Sequence, residues 1–492
     1  MRAAAARALR QTPTWLWLAG MCGVFVAVNA TLGIARHHAF WAGRFDLGNM
    51  VQAVWSTAQG RPLETTSLTG EQFVRLGAHV DPLLVLFTPL AWTGALPEAL
   101  MVSQAVIVSL GALPAFALGR RWLGTRGWGL AAAGVYLLYP TLHWATVTDM
   151  HAVTLAAPLL MACIWGAEER RWGVLGICAP LAALSKEQVG LALAMLGLWV
   201  AARGARRAGA LLAAGGIGWS LFAVFVVIPH FNPAEGGSAF VSRYGDLGDS
   251  ELEVLGTILT RPWEVAEVVA SADRLGYLAA LLLPLLLLPL AAPLLAAGAL
   301  PDLGINLLSG LESQHSITFH YSAVIAPFLV AASILGLARL RALVERRGWR
   351  APAAGAVMAV WVGSVAVAGV VQGPGPWWRH VPLGSQERAS SYAVGEHAAA
   401  ARAAVDRVPE GVPVSAGNTL GAHLSARRRI HMFPTIADAR WVVVDRRRPY
   451  LGDRRDPAGH EFRVRSLLDD PTWVLDFERD GVIVLRRAGV RR

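Results

Sequence analysis

The sequence predicts an all-α polytopic membrane protein of about 10 to 12 transmembrane helices, followed by a small C-terminal α/β domain. Three observations lead there. The 492 residues are 54% hydrophobic and only 16% charged, with mean hydropathy +0.45, where a soluble domain carries about 25% charge. Apolar runs near the roughly 20 residues that cross a bilayer recur at 15–34, 99–118, 128–147, 150–167, 187–202, 208–229, 276–300, 321–338 and 352–371, with a shorter one at 172–185. After residue 371 the pattern becomes that of a soluble protein.

The net charge of +10 and the pI near 10.3 suggest nucleic acid at first sight. The placement of the cations excludes it. Arg2, Arg7 and Arg10 precede the first span, Arg203, Arg206 and Arg207 follow another, and Arg339, Arg341, Arg346, Arg347 and Arg350 lie between the last two. Cations at span ends mark cytoplasmic loops rather than a basic binding face. The expected topology is a multi-pass plasma-membrane protein with a cytoplasmic N-terminus. Its first loop, 35–81, and its C-terminal domain then lie outside. The first apolar run is long for a cleaved signal and reads as a retained span, and lipid-anchor motifs are absent. Cys22, Cys163 and Cys178 all sit in apolar runs, so no disulfide framework or thiolate metal site is expected.

Two segments constrain that topology. Arg120, Arg121 and Arg126 reach the cytoplasmic side only if 81–95 is re-entrant or juxtamembrane. The stretch 311–320 lies outside only if the run containing Pro284, Pro289, Pro293 and Pro301 hides two short helices, a break tolerated where protein supplies the missing partners.

The membrane domain spans 1–371 and the outer domain 372–492. Gly373-Pro374-Gly375-Pro376 breaks the chain, and Trp377-Trp378 suggests an interfacial anchor. Gln386 to Val408 reads as an Ala-rich helix. Val412–Ala416, Arg429–Phe433 and Trp441–Asp445 read as strands. Trp473–Phe477 and Val482–Leu485 flank Asp480-Gly481, a hairpin signal.

Ionisable residues in so apolar a chain are functional candidates. Asp46 reads either as a helix cap or as a general base or metal ligand. Glu71, Arg75 and His79, spaced by four, share a face if they lie on one helix. That face is either solvated or orients an anionic head group, with Asp81 and Pro82 ending it. Asp149 and His151 stand at a span mouth, as interfacial residues or as a site; an Asp–His pair suits a divalent metal, Mg or Mn. Lys186 is the only lysine in the chain. With Glu187 it forms either a structural ion pair or a charge clamp for phosphate. His315, His320 and Tyr321 gather at another span mouth. Arg427-Arg428-Arg429 is a solvated face or a lipid head-group contact.

Phe45-Asp46-Leu47-Gly48, then Gln52, Trp55 and Gly60, then Arg75…His79-x-Asp81-Pro82, resemble the opening of a prokaryotic membrane-protein family, domain of unknown function 2079. Tyr139-Pro140…Asp149-x-His151, Lys186-Glu187 and His320-Tyr321-Ser322-Ala323 continue the resemblance in order. Val414-Ser415-Ala416…His423-Leu424-Ser425…Arg429 and Asp480-Gly481…Leu485 complete it over nearly the whole chain. Where that family usually has Ser-Pro after the His, this chain has Val80-Asp81-Pro82.

The family is similar to the C-type glycosyltransferases, multi-span enzymes with lipid-linked sugar donors. The resemblance implies an outer-face glycosyltransferase using a polyprenyl-phosphate sugar, with Asp46 as its catalytic acidic residue. Lys186, with Arg75 as second candidate, would meet the leaving phosphate, and Glu187 would join Lys186 in the catalytic pair. Arg75, His79, Asp149, His151, His315, His320 and Tyr321 would position donor and acceptor. Mg or Mn is the only cofactor left open. The rival readings are a transporter or flippase for an anionic lipid or small solute, and a non-catalytic membrane scaffold.

Overall fold

The computed structural model describes residues 13–232, 241–245, 247–350, 352–375, 380–381, 384–449 and 456–490. Arg2, Arg7, Arg10 and the Trp377-Trp378 pair lie outside the described residues.

Five helices among them are long and apolar enough to cross a membrane: Thr14–His38, Leu96–Leu123, Arg206–Phe231, Ile325–Arg346 and Ala354–Val371. Pro82–Thr93, Ala152–Glu168, Trp172–Ala183 and Val189–Ala202 are apolar but shorter. Fewer long helices form than the apolar runs suggest, because some stay short and prolines divide others. Pro140 separates Arg126–Leu138 from Pro140–Val147, since proline cannot donate the next helical bond. The long helices also sort by exposure. Ile325–Arg346 is central, whereas Arg206–Phe231 and Ala354–Val371 leave most of their apolar surface uncovered, as lipid-facing helices do. Val189–Ala202 and Arg206–Phe222 pack at very close range. A Cβ at Gly190 would meet the Gly216 carbonyl at 2.3 Å, so only a hydrogen fits there.

Side-chain and backbone bonds show which helix ends lie together. His38 Nε2 meets Glu98 Oε1 at 2.9 Å, and Leu83 N donates to Leu184 O at 3.2 Å. At the opposite end Arg203 Nη2 donates to Glu168 at 2.9 Å, and Arg121 lies 3.6 Å from Glu169. Pro82–Thr93 therefore begins at the His38 end, and Leu96 leaves from that same end. The segment between is a 3₁₀ helix lying alongside, with Leu86 and Trp92 exposed, not a crossing. Arg120, Arg121 and Arg126 thereby join Arg203, Arg206 and Arg207 at one end. The proline-rich run does fold into two arms. Ala272–Leu282 descends from the His38 end, Arg339 Nη1 holds Ala291 O at 3.0 Å near the basic end, and Leu300–Leu307 returns.

The C-terminal domain is a five-stranded mixed sheet. With β1 (Glu64–Thr66) and β2 (Gln72–Val74) forming a small hairpin in the first loop, its strands are β3 (Val414–Ala416), β4 (Ile430–Met432), β5 (Trp441–Asp445), β6 (Trp473–Arg479) and β7 (Val482–Arg487), in the order β4-β3-β5-β7-β6. The first three are parallel and β7 and β6 antiparallel. Asp480 and Gly481 both have positive φ, 52° and 81°, as a type I′ hairpin demands.

Two local expectations are corrected, and a third holds in part. Glu71, Arg75 and His79 share no helix: β2 and a 3₁₀ turn at Arg75–Gly77 carry this stretch. The helix expected over 386–408 covers only Glu396–Val405, with Gly395 before it in extended conformation. Arg427-Arg428-Arg429 is solvated at two of its three positions, Arg428 and Arg429. Arg427 is buried and donates to Leu424 O and Val412 O, Arg428 lies 3.5 Å from Glu64, and Arg429 pairs with Asp438.

The first loop is fastened to the sheet by residues of the Phe45…Gln52 motif. Arg44 is buried and donates to Thr66 O and Ile430 O. Gln52, fully buried, accepts from Thr66 N at 3.0 Å. Its Nε2 donates to Thr66 Oγ1 at 2.9 Å and Arg428 O at 2.9 Å. A Cβ on Gly48 would meet Ser425 Oγ at 2.5 Å, so glycine permits the contact. Gln52→Leu leaves several buried polar groups unpaired and should cost about 3 kcal/mol. Thermal unfolding in detergent should show a lower midpoint, and an unchanged one would contradict this role.

Candidate functional site

Asp46 sits in a one-turn π-helix, Arg44–Gly48, a form common at functional sites. Its carboxylate is the half-exposed member of a buried group: Oδ1 lies 3.1 Å from His151 Nε2. The His151 ring stacks on His320 with centroids 3.5 Å apart, and Tyr321 adjoins at 4.3 Å from His320. Burial holds the His320 ring well below the usual histidine range, aided by the neighbouring His151.

The loop 148–151 presents His151 in an unusual conformation. Asp149 has φ 134°, a region non-glycine residues rarely enter. Gln104, fully buried in the Leu96–Ser109 helix, holds it there. Gln104 Nε2 donates to Thr146 O at 3.0 Å and Asp149 O at 3.1 Å, while Oε1 accepts from His151 N at 2.9 Å. The Asp149 carboxylate accepts from Gly43 N at 3.1 Å and reaches the Leu47 amide. Burial and then the nearby Asp46 charge push the Asp149 carboxyl well above its ordinary range.

A second group surrounds Lys186. The loop 184–188 joins the helices Trp172–Ala183 and Val189–Ala202 at the same end as Asp149. Glu187 spends both oxygens on the first loop: Oε1 on His79 Nδ1 at 3.0 Å and Oε2 on Val80 N at 2.9 Å. Burial opposes its charge, yet His79 and Lys186 together hold it down at about 2. Arg75 is buried against Asp81, with Nε and Nη2 at 2.9 and 2.8 Å from Oδ2. The Lys186 side chain makes no hydrogen bond or ion pair among the described residues. Burial pulls its ammonium below the usual lysine range, with Glu187 opposing and Arg243 assisting.

The two groups lie within electrostatic reach of each other. The charges of Lys186, His79 and Arg243 act on His320, and those of Asp46 and Arg243 act on Tyr321. Asp46, Arg75, His79, Asp149, His151, Lys186, Glu187, His320 and Tyr321 thus share one region at the His38 end. His315 does not join by contact. Its Nε2 meets Asp273 Oδ2 at 2.8 Å, at the start of the Ala272–Leu282 helix. Among the described residues no group of three or more His, Cys, Asp or Glu side chains is placed to hold a metal ion.

Several residues here escaped the sequence reading. Gln104 is a lone polar residue in an apolar run, a usable signal. Asp302 is another: buried on Leu300–Leu307, it accepts from Gln188 Nε2 at 3.3 Å beside Lys186. Arg243 and Asn418 carried no local signal. Asn418, from the Asn418–His423 helix of the C-terminal domain, accepts from Phe45 N at 2.9 Å.

No curated protein sequence matches this chain. Its fold is similar to that of ArnT from Cupriavidus metallidurans. The crystal structure of ArnT bound to undecaprenyl phosphate aligns with TM-score 0.51 at 13% identity, over 96% of this chain and 98% of ArnT. The apo crystal structure gives 0.50 at 14%, over 95% and 98%. At this identity the likeness establishes the shared fold alone. The profile described as "Predicted membrane protein (DUF2079)" matches residues 36–484, nearly the entire chain, and the protein therefore belongs to that family.

Proposed function

We propose that this protein is a membrane glycosyltransferase that moves a sugar from a polyprenyl-phosphate donor to an acceptor at the outer face of the plasma membrane. One observation carries the reading: the half-exposed Asp46 carboxylate meets His151, whose ring stacks on His320, and the Lys186 ammonium, with no side-chain hydrogen bond or ion pair among the described residues, acts on that same His320. Transfer of a sugar from a phosphate needs those two charges apart from each other. The acceptor O–H loses its proton as its oxygen bonds to the anomeric carbon, and the carbon–oxygen bond to phosphate breaks. Asp46 accepts the proton. Lys186 stabilises the charge that develops on the departing polyprenyl phosphate, the kind of interaction that supplies the largest catalytic term in many enzymes. The fold's likeness to a protein crystallised with undecaprenyl phosphate supports a lipid-phosphate ligand.

The remaining residues take positioning roles. His151 holds Asp46, and His320 backs His151 by stacking. Glu187 acts through His79 and the Val80 amide, not on substrate. Arg75, neutralised by Asp81, fixes the 75–81 turn. Tyr321 lines the region between the two charges. The outward orientation follows from grouping Arg120, Arg121, Arg126, Arg203, Arg206 and Arg207 at the opposite end, which the positive-inside rule assigns to the cytoplasm.

Purified protein in nanodiscs, supplied with radiolabelled undecaprenyl-phosphate hexoses and pentoses and a membrane extract as acceptor, should transfer label. Asp46→Asn should reduce the rate roughly 10²-fold or more. Transfer undiminished in Asp46→Asn would refute the base assignment, and lipid movement across liposomes without transfer would favour a flippase. Lys186→Ala should reduce kcat by about 10²-fold, measured with saturating donor; an unchanged kcat removes the phosphate role.

Glu187 gives a pH signature. Its folded pKa, about 2, lies below the ordinary 4.5, so its contribution to stability is present above 4.5 and is lost as pH falls toward 2. Thermal midpoints recorded across that window should fall with pH in the wild type and fall less in Glu187→Gln. Parallel curves would show that Glu187 does not tie the loops.

A further inference from the structure

We propose that the C-terminal α/β domain completes the site, with Asn418 as a positioning residue that aims Asp46. A one-turn helix cannot satisfy its own leading amides, and the Arg44–Gly48 turn has its amides held from both domains. The membrane domain supplies Asp149, whose carboxylate takes Gly43 N at 3.1 Å and reaches the Leu47 amide. The α/β domain supplies Asn418, whose Oδ1 takes Phe45 N at 2.9 Å. Phe45 N is the amide immediately before Asp46.

The side chain of Asn418 is spent across the domain boundary. Asparagine near a helix start commonly caps its own helix, but Asn418–His423 has Gly417 at its cap and no side-chain cap bond. The approach leaves no slack. A Cβ on Gly43 would lie 2.7 Å from Asn418 Nδ2, and one on Gly421 would lie 2.8 Å from Arg44 Cβ. Arg44 meanwhile leaves the turn in the other direction, into β4 and the first-loop hairpin. The turn is thus pinned at Gly43 and Leu47 by Asp149, at Phe45 by Asn418, and through Arg44 by the sheet. The carboxylate between these pins has its direction set by both domains, so any shift of the α/β domain re-aims it.

The kinetic consequence rests on the proposed transfer activity; the structural one does not. Full-length protein in nanodiscs is compared as wild type, Asn418→Ala and Asn418→Asp, the last keeping an acceptor oxygen. Hydrogen–deuterium exchange of the peptide covering 43–48 is measured alongside transfer from labelled undecaprenyl-phosphate sugar. Asn418→Ala should speed exchange at this peptide and lower kcat about tenfold through misplacement of the carboxylate, with KM for the donor and the thermal midpoint unchanged. Asn418→Asp should restore both. Wild-type exchange and kcat in Asn418→Ala would overturn the proposal, as would a kcat loss that merely follows a falling midpoint. If even wild type transfers no sugar, the functional reading fails, and the exchange result still decides whether Asn418 holds the turn.

Discussion

A strained loop at the membrane surface, held by one buried amide, is the constraint on which the site depends. A non-glycine residue at φ 134° costs on the order of 1–3 kcal/mol, and Asp149 adopts it between two helices. The side chain of Gln104 offsets that cost by bonding the loop's carbonyls and the His151 amide together. Without that conformation His151 would not point toward Asp46, nor the Asp149 carboxylate toward the Gly43 amide. The apolar helices around the loop provide a rigid frame in which one glutamine can act as a template.

The same low-polarity surroundings explain how charge is distributed. Arg75 has Asp81, Glu187 has His79, and His151 has Asp46, because an unpaired buried charge is expensive. Lys186 breaks this pattern. Its ammonium forms no ion pair among the described residues, and is close enough to Arg243 and His320 to interact with both. A chain that uses arginine everywhere else places its one lysine here, a compact point charge in place of a fixed fork of donors.

Much of the architecture was legible because hydrophobic patterning is periodic and local. The apolar runs, the five strands and the Asp480-Gly481 turn all lie in short windows, and Trp441–Asp445 matches its expected bounds. The failures have physical causes. Glu71, Arg75 and His79 look helical by spacing, but pairing of Glu64 with Val74 forms a hairpin instead, a contact that spacing cannot reveal. The three-arginine run looks solvated, yet Arg427 is taken inside by carbonyls of its own loop. At the site, Asp46, Asp149, His151 and Lys186 stood out as charge in an apolar chain. Asn418 did not, since its importance lies in the Phe45 amide it meets 373 positions away, and Gln104, though polar in an apolar run, gave no hint of its partners. His315 was grouped with His320 by proximity in sequence, while the fold gives it to Asp273.

The most direct measurement is a cryo-electron microscopy map of the protein in nanodiscs with undecaprenyl phosphate added. The account predicts phosphate density within hydrogen-bond reach of Lys186 Nζ, in the region bounded by Asp46 and Tyr321, with the lipid chain running out between helices into the bilayer. Phosphate bound instead at the Arg120 end, or a site region that stays empty at saturating lipid, would contradict it.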